Sequence, residues 1–223
     1  MAALEELLAG QGLSAPAVAA LSRYGRLVLE ANRRFNVTGA SSPEEIAQHI
    51  SDSLSVVSYL KEPYIDVGSG AGFPAIPIGI ATGIRLTLIE PTLKKARLLE
   101  SFLETLGLQG VVVAERAETA GHRPDIREQF SSGTCRAVAT APAVAELLLP
   151  LIGIGGVAVL QRGRTDEIEG RALEDASLVL GASVESDDAI GSDRHIILLR
   201  KLRETPNRFP RRNGVPQKRP LCQ

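Results

Sequence analysis

The residues most able to do chemistry lie in Asp66-Val67-Gly68-Ser69-Gly70-Ala71-Gly72-Phe73-Pro74. A short run, Pro63 to Val67, reads as a buried strand and leads into three glycines at every second position. Phe73-Pro74 then opens an apolar helical stretch from Pro74 to Thr82. Proline suits the first turn of a helix, where its missing N–H is not needed. Glycines permit a tight turn and let a bound molecule approach bare backbone. Free N–H groups at the start of the next helix can hold a carboxylate or phosphate. Three glycines in five residues are more than an unliganded strand-to-helix turn requires.

In an open α/β sheet a ligand lies beyond the carboxyl ends of the strands, at the switch point beside the first. Two further stretches belong there. Glu90 follows Gly72 by 18 residues, at the end of the second strand. A carboxylate at that place can accept both hydroxyls of a ribose, or serve as a solvated acid at a helix start. Glu115-Arg116-Ala117-Glu118, after the third strand, falls where an adenine edge would lie, although spacing alone makes it a charged loop. The glycines depart from G-x-G-x-x-G, because Phe73 occupies the third glycine's place. With Asp66-x-Gly68, the loop resembles the first motif of S-adenosylmethionine-dependent methyltransferases more than a nicotinamide site. Arg136 stands inside the apolar run Thr134-Cys135-Arg136-Ala137-Val138 and needs a partner, because a buried unpaired cation is very costly. A ligand carboxylate, an RNA phosphate and a structural acid all qualify. His49 and Asp52 sit one helical turn apart, too few for a metal site; an acid–base pair and a structural hydrogen bond both fit.

Periodicity supplies the elements that hold these residues. Helices are expected over 2–9 and 15–33, then from a capping box at Ser42-Pro43-Glu44-Glu45 through His49 and Asp52 to about Leu60. Strands follow at 64–67, 85–89, 111–114, 133–139, 156–160, 182–185 and 195–200, with helices at 74–82, 92–106, 143–150 and 165–179. Strands separated by helices predict an α/β fold: a doubly wound, mainly parallel seven-stranded sheet with an N-terminal helical extension. We read one domain, with the extension over 1–60, a ligand-binding core over 61–203 and a basic tail over 204–223.

Bulk properties narrow the function. A chain of 223 residues suits one α/β domain with an extension. Its net charge is −1, yet Arg194, Arg200, Lys201, Arg203, Arg208, Arg211, Arg212, Lys218 and Arg219 face a single acid, Glu204, in the last stretch. Such asymmetry points to a polyanionic partner. Past Lys201 the chain lacks periodicity, and it is expected to be irregular and held against the body, or ordered only by a partner. Two cysteines give neither a disulfide framework nor metal spacing, which suits a reducing cytoplasm. Acids stand at the N-terminus where a signal peptide needs bases. Ala137 to Leu160 is apolar but carries Pro142, Glu146 and Pro150, so it reads as buried core and not as a membrane span. Eight aromatic residues, three Tyr and five Phe with no Trp, argue against a stacking platform for single strands.

Several motifs occur in order: Phe35-Asn36-Val37-Thr38, His49-Ile50-Ser51-Asp52-Ser53-Leu54, the Asp66-to-Pro77 loop, Lys94-Lys95, Cys135-Arg136-Ala137-Val138-Ala139, Pro150-Leu151 with Gly155-Gly156, and Phe209-Pro210-Arg211-Arg212-x-Gly214-x-Pro216-x-Lys218-x-Pro220-Leu221. Together they closely resemble the bacterial RsmG (GidB) family. The resemblance implies a Rossmann-like class I methyltransferase that uses S-adenosylmethionine to methylate N7 of a guanine in 16S (small-subunit) ribosomal RNA. It implies cofactor contacts at Gly68, Phe73, Glu90, Ala117, Glu118 and Arg136, to which the loop reading adds Gly70 and Gly72. Arg162-Gly163 stands where the family has Lys-Gly, which retains charge for a phosphate. With Arg208, Arg211, Arg212, Lys218 and Arg219, Arg162 forms the expected RNA-binding set. No catalytic residue is assigned, because guanine N7 has a free lone pair and no proton to remove. No metal and no membrane are expected, and a monomer acting on 16S ribosomal RNA or the small ribosomal subunit is the implied state. Four alternatives stand beside this reading. A nicotinamide oxidoreductase is disfavoured by the glycine spacing. Methylation of another RNA position is a closer rival, although Thr140-Ala141-Pro142-Ala143 is not the exocyclic-amine motif. Cys135 is a superficial match to a cytosine-attacking nucleophile. A non-enzymatic ribosome-associated protein would leave the glycine loop and Glu90 without work.

Overall fold

The computed structural model describes residues 2–10, 12–136, 139–163, 166–190 and 194–222. Ala137 and Val138 of the strand-four motif, and position 165 at the expected start of a helix, lie outside the described residues. Three helices lead the chain: α1 (Ala2–Ala9), α2 (Ala15–Phe35) and α3 (Pro43–Leu54). Ser42 caps α3, and its side chain and that of Glu45 form the expected capping box. The helix stops at Leu54, short of the expected Leu60. The Ser55 hydroxyl takes the Asp52 carbonyl at 2.7 Å, and a 3₁₀ turn, Val57–Tyr59, follows.

Strands and helices then alternate: β1 (Tyr64–Val67), α4 (Ala75–Thr82), β2 (Leu86–Ile89), α5 (Leu93–Leu106), β3 (Gly110–Val113), the single-turn α6 (Ala117–Ala120), β4 (Phe130–Arg136), α7 (Ala141–Leu148), β5 (Ile152–Gly163), α8 (Glu167–Val179), β6 (Ala182–Ile190), β7 (Arg194–Lys201) and the short α9 (Val215–Lys218). The sheet has seven strands in the order β3-β2-β1-β4-β5-β7-β6. The first five pair in parallel, and β7 runs antiparallel to both β5 and β6. Chain order reverses between β1 and β4, so the switch point lies at their carboxyl ends.

Side chains alternate between the two faces of each strand, which produces two cores. Tyr64, Val157, Val159, Ile196 and Leu198 join α1–α5 on one face. Ile65, Val67, Ala158, Leu160, Ile197 and Leu199 join α7 and α8 on the other. The N-terminal helices therefore share a core with the sheet and the first crossover helix.

Three strands have bounds well away from those expected, and the fifth, expected at 156–160, runs from Ile152 to Gly163. The fourth strand was expected at 133–139 and runs from Phe130 to Arg136. Its polar start is stable because Ser132 exchanges two hydrogen bonds with the Lys61 backbone, at 2.9 and 2.6 Å. Gly133 belongs there because a Cβ would meet Leu148, Ile152 and Ile65 at 2.8–3.0 Å. The sixth strand, expected at 182–185, continues to Ile190.

Candidate active site

The glycine turn is fastened to the neighbouring strand. Gly68 N–H and Ser69 N–H both donate to the Ile89 carbonyl, at 2.9 and 3.2 Å. Gly68, Gly70 and Gly72 have φ of +74°, +56° and +103°, values that L side chains rarely adopt. Gly72 is also tight: an added Cβ would lie 2.7 Å from Ile76 Cδ1 and 3.0 Å from the Tyr24 hydroxyl. At Gly70 the nearest atom to a Cβ would be 3.7 Å away, so that side of the loop is open. Glu90, only 4% exposed, braces the open loop from below. Its carboxylate accepts from Gly70 N–H at 3.0 Å and from Thr92 N–H at 2.8 Å. The loop acid and the acid at the start of α5 are thus one group, and it is buried.

Asp66, at the entrance to the turn, is buried and accepts from the Thr134 hydroxyl at 2.7 Å. Its Oδ2 has no hydrogen-bond partner among the described residues. Desolvation pushes its pKa up to about 7, against the Thr134 and Ser69 hydrogen bonds and the Arg136 charge. Beyond the turn, Phe73 meets two polar groups. The His49 ring centroid lies 5.3 Å from that of Phe73, and the Arg136 guanidinium lies 5.4 Å from the same centroid. Arg136 Nη1 and His49 Nδ1 are buried and unpartnered among the described residues. Burial, with the charges of Arg136 and Arg194, lowers the His49 pKa to about 4, so the ring is neutral at pH 7. His49 and Asp52 share the expected helix face, but the Asp52 carboxylate pairs with Arg194 and Gln48.

Of these groups His49, Asp52 and Arg136 open onto a cleft of about 320 Å³ at the carboxyl ends of β4 and β5. His49, Asp52, Arg136, Gln161, Arg162 and Arg194 are among its polar lining, together with Ser55 and His195, and Ile190 and Ile196 form apolar walls. Arg162 is held inside the protein, donating to the Ala139 carbonyl at 2.7 Å and to Glu169 at 2.8 Å. Cys135 is buried and desolvation pushes its thiol far up, which disfavours a thiolate nucleophile. Among the described residues no group of three or more His, Cys, Asp and Glu side chains is arranged to hold a metal ion. No helix among them is long and apolar enough to cross a membrane.

Ala117 and Glu118 open α6, and both are buried. The Glu118 carboxylate accepts from Gly214 N–H at 2.7 Å, which brings the C-terminal segment against this stretch. Arg208, Arg212, Lys218 and Arg219 are exposed on that segment. Arg211 differs from them: its guanidinium grips Glu146, a side chain with no exposure, at distances down to 2.6 Å.

Sequence reasoning missed three participants. Tyr24 falls inside the expected helix over 15–33 with nothing to mark it, yet its hydroxyl donates to the Ala71 carbonyl at 2.9 Å inside the glycine turn. Gln161 left a signal, a polar residue ending the apolar strand Val157 to Leu160. Arg194 was counted only among the basic residues of the last stretch.

This strand order, with a glycine turn at the first crossover braced by an acid from β2, defines a Rossmann-like methyltransferase of the class that uses S-adenosylmethionine. The same fold occurs in an O-methyltransferase from Bacillus cereus solved with SAH, at a TM-score of 0.58 and 20% identity over 80% of this chain and 91% of that one. The particular family is given by sequence. The family described as rRNA small subunit methyltransferase G (GidB) matches residues 17–197, and the chain belongs to it. Ribosomal RNA small subunit methyltransferase G of Trichormus variabilis is 41% identical over 87% of this chain and 86% of its own length. The protein of the same name in Deinococcus deserti is 37% identical over 98% and 96%.

Proposed function

We propose that the chain transfers a methyl group from S-adenosylmethionine to N7 of a guanine in 16S ribosomal RNA, free or within the small subunit. It acts as a monomer without a metal, and a cytoplasmic location follows from that substrate. The observation carrying this reading is the cleft itself. Three guanidinium groups, those of Arg136, Arg162 and Arg194, surround a neutral histidine, and Phe73 joins them to the glycine turn. Cationic groups suit a nucleotide phosphate, and a neutral His49 adds no positive charge beside a purine that becomes cationic.

The residues present fit the methyl donor. Gly70 leaves open backbone, Glu90 offers a buried carboxylate beside it, and Arg136 has an unpartnered guanidinium nitrogen. In this reading Gly68, Gly70 and Gly72 admit the donor to the backbone, Glu90 takes ribose hydroxyls and Arg136 its carboxylate. Phe73 packs against it, and Ala117 and Glu118 flank the adenine. When bound, S-adenosylmethionine supplies an electrophilic methyl on a sulfonium. Guanine N7 presents a lone pair and no proton, so no residue of the chain has to act as a base. The chain's contribution is alignment of the two reactants, where effective molarities are large. Arg208, Arg212, Lys218 and Arg219 grip RNA phosphates, while Arg162 and Arg211, tied to Glu169 and Glu146, lend charge to that surface from within.

The test is a map of N7-methylguanosine in ribosomal RNA from cells with and without this chain. One guanine of 16S RNA should lose its modification without the chain and recover it on complementation. An unchanged map would overturn the proposal.

A further inference from the structure

Gln161 is only 7% exposed and lines the cleft. Its Nε2 donates to the backbone carbonyl of Asp52 at 2.6 Å. A carbonyl only accepts, so the amide's NH2 must face it, and this fixes which way the amide points. Oε1 is thereby held in place, buried and without a hydrogen-bond partner among the described residues. Buried acceptors of this kind are uncommon in folded proteins. A purely structural role would use the amide donors and gain nothing from the orphaned oxygen. The Asp52 carboxylate lines the same cleft. Its Oδ1 meets Gln48 Nε2 at 3.1 Å and the Arg194 guanidinium, and a carboxylate has capacity for further donors. One wall of the cleft is therefore rich in acceptors, while Arg136 brings an unpartnered donor to the same space.

That pattern complements one base. The Watson–Crick edge of guanine offers two adjacent donors, N1–H and the exocyclic amine, while O6 and N7 accept. Adenine has an acceptor at ring position 1 and no donor at position 2, so it would set like against like. We propose that Gln161 and Asp52 form the acceptor edge that selects guanine, taking its N1–H and 2-amino group while Ile190 and Ile196 cover the faces of the base. This rests on the reading of the chain as a guanine methyltransferase. Both are specificity residues and neither performs the transfer. A site built to hydrogen-bond its substrate rejects analogues that lack the matching groups far more strongly than an apolar pocket does.

The experiment uses the full chain with RNA carrying guanosine or inosine at the modified position, since inosine lacks only the 2-amino group. Wild-type protein, Gln161→Met and Asp52→Asn are compared by kcat/KM on both RNAs, and calorimetry follows binding of S-adenosylmethionine. Wild-type protein should prefer guanosine by roughly tenfold to a hundredfold. In at least one variant that ratio should collapse towards unity through loss on guanosine, with donor affinity unchanged. Undiminished discrimination in both variants would overturn the proposal. So would a tenfold fall in donor affinity, which would place the acceptors on the donor's ammonium. Wild-type protein that modifies no guanine at all would instead overturn the underlying reading, and the proposal with it.

Discussion

Asp66 carries an energetic conflict at the point where β1 enters the glycine turn. Its carboxyl is buried, and desolvation lifts its pKa from 3.8 to about 7 in spite of the Thr134 hydrogen bond. An unfolded aspartate loses its proton near pH 3.9. Between about pH 4 and 7 the folded chain therefore holds a proton that the unfolded chain has lost. Stability from this group is fully present below the unfolded value and is lost as pH rises through about 7. Asp66→Asn keeps an oxygen for the Thr134 hydroxyl and never ionises. It should raise Tm at pH 8, by the equivalent of up to about 4 kcal/mol, and change it little at pH 4. Thermal melts of both proteins at the two pH values decide this, and a mutational effect that does not vary with pH would refute it. Sequence placed Asp66 at the loop entrance, but the burial that raises its pKa comes from packing beside β4, where its hydrogen-bond partner Thr134 lies 68 residues away along the chain. No local pattern carries that pairing.

Among the elements, α2 is tied to the site through one side chain. Tyr24 has no exposure, stacks edge-on against Phe73 and Phe102 at 5.3 and 5.8 Å, and donates to Ala71 O at 2.9 Å. The helix thus fixes the height of the turn that Gly72 makes beneath it. Tyr24→Phe keeps the ring packing and removes the hydroxyl, so it should cost about 1 kcal/mol of stability. Calorimetry should also show severalfold weaker binding of S-adenosylmethionine. Wild-type affinity would show that the turn holds its shape without α2. This tie also explains which parts of the fold were readable. Apolar period and glycine placement exposed β1, α4 and the parallel core, because a strand buried on both faces writes its burial into a local run of apolar residues. The start of β4 was hidden because Ser131-Ser132-Gly133 is stabilised by backbone partners and close packing against distant residues. The far half of β6 was hidden because Glu185, Ser186, Asp187 and Asp188 lie on a sheet edge, where polar side chains are expected and leave no apolar signal. Glu90 was legible as a site residue from its spacing. Gln161 becomes meaningful only once α3 is known to lie across the end of β5.

At the scale of the molecule, the C-terminal segment joins two jobs that composition alone merges. It is docked on the body: Arg127 donates to the carbonyls of Thr205 and Phe209, His122 contacts the Pro210 carbonyl, and Arg211 grips the fully buried Glu146. Gly214 N–H then reaches Glu118. A cation facing a buried carboxylate is structural in its energetics, since removing it strands the opposite charge. An exposed cation without such a partner contributes little to stability and remains available to a polyanion. The two kinds should separate under mutation. Arg211→Ala should destabilise the protein by about 3 kcal/mol and lower Tm markedly. Arg212→Ala and Lys218→Ala should leave stability within about 0.5 kcal/mol. They should instead weaken RNA binding, each reducing the slope of log K against log salt by about one. Melting curves and RNA titrations at several salt concentrations measure both effects on the same proteins. A salt slope that stays at its wild-type value in the Arg212, Lys218 double variant would show that RNA docks elsewhere. The tail would then serve only to close the body over α6 and α7, and its charge asymmetry would be a consequence of that clamp and not a mark of the substrate.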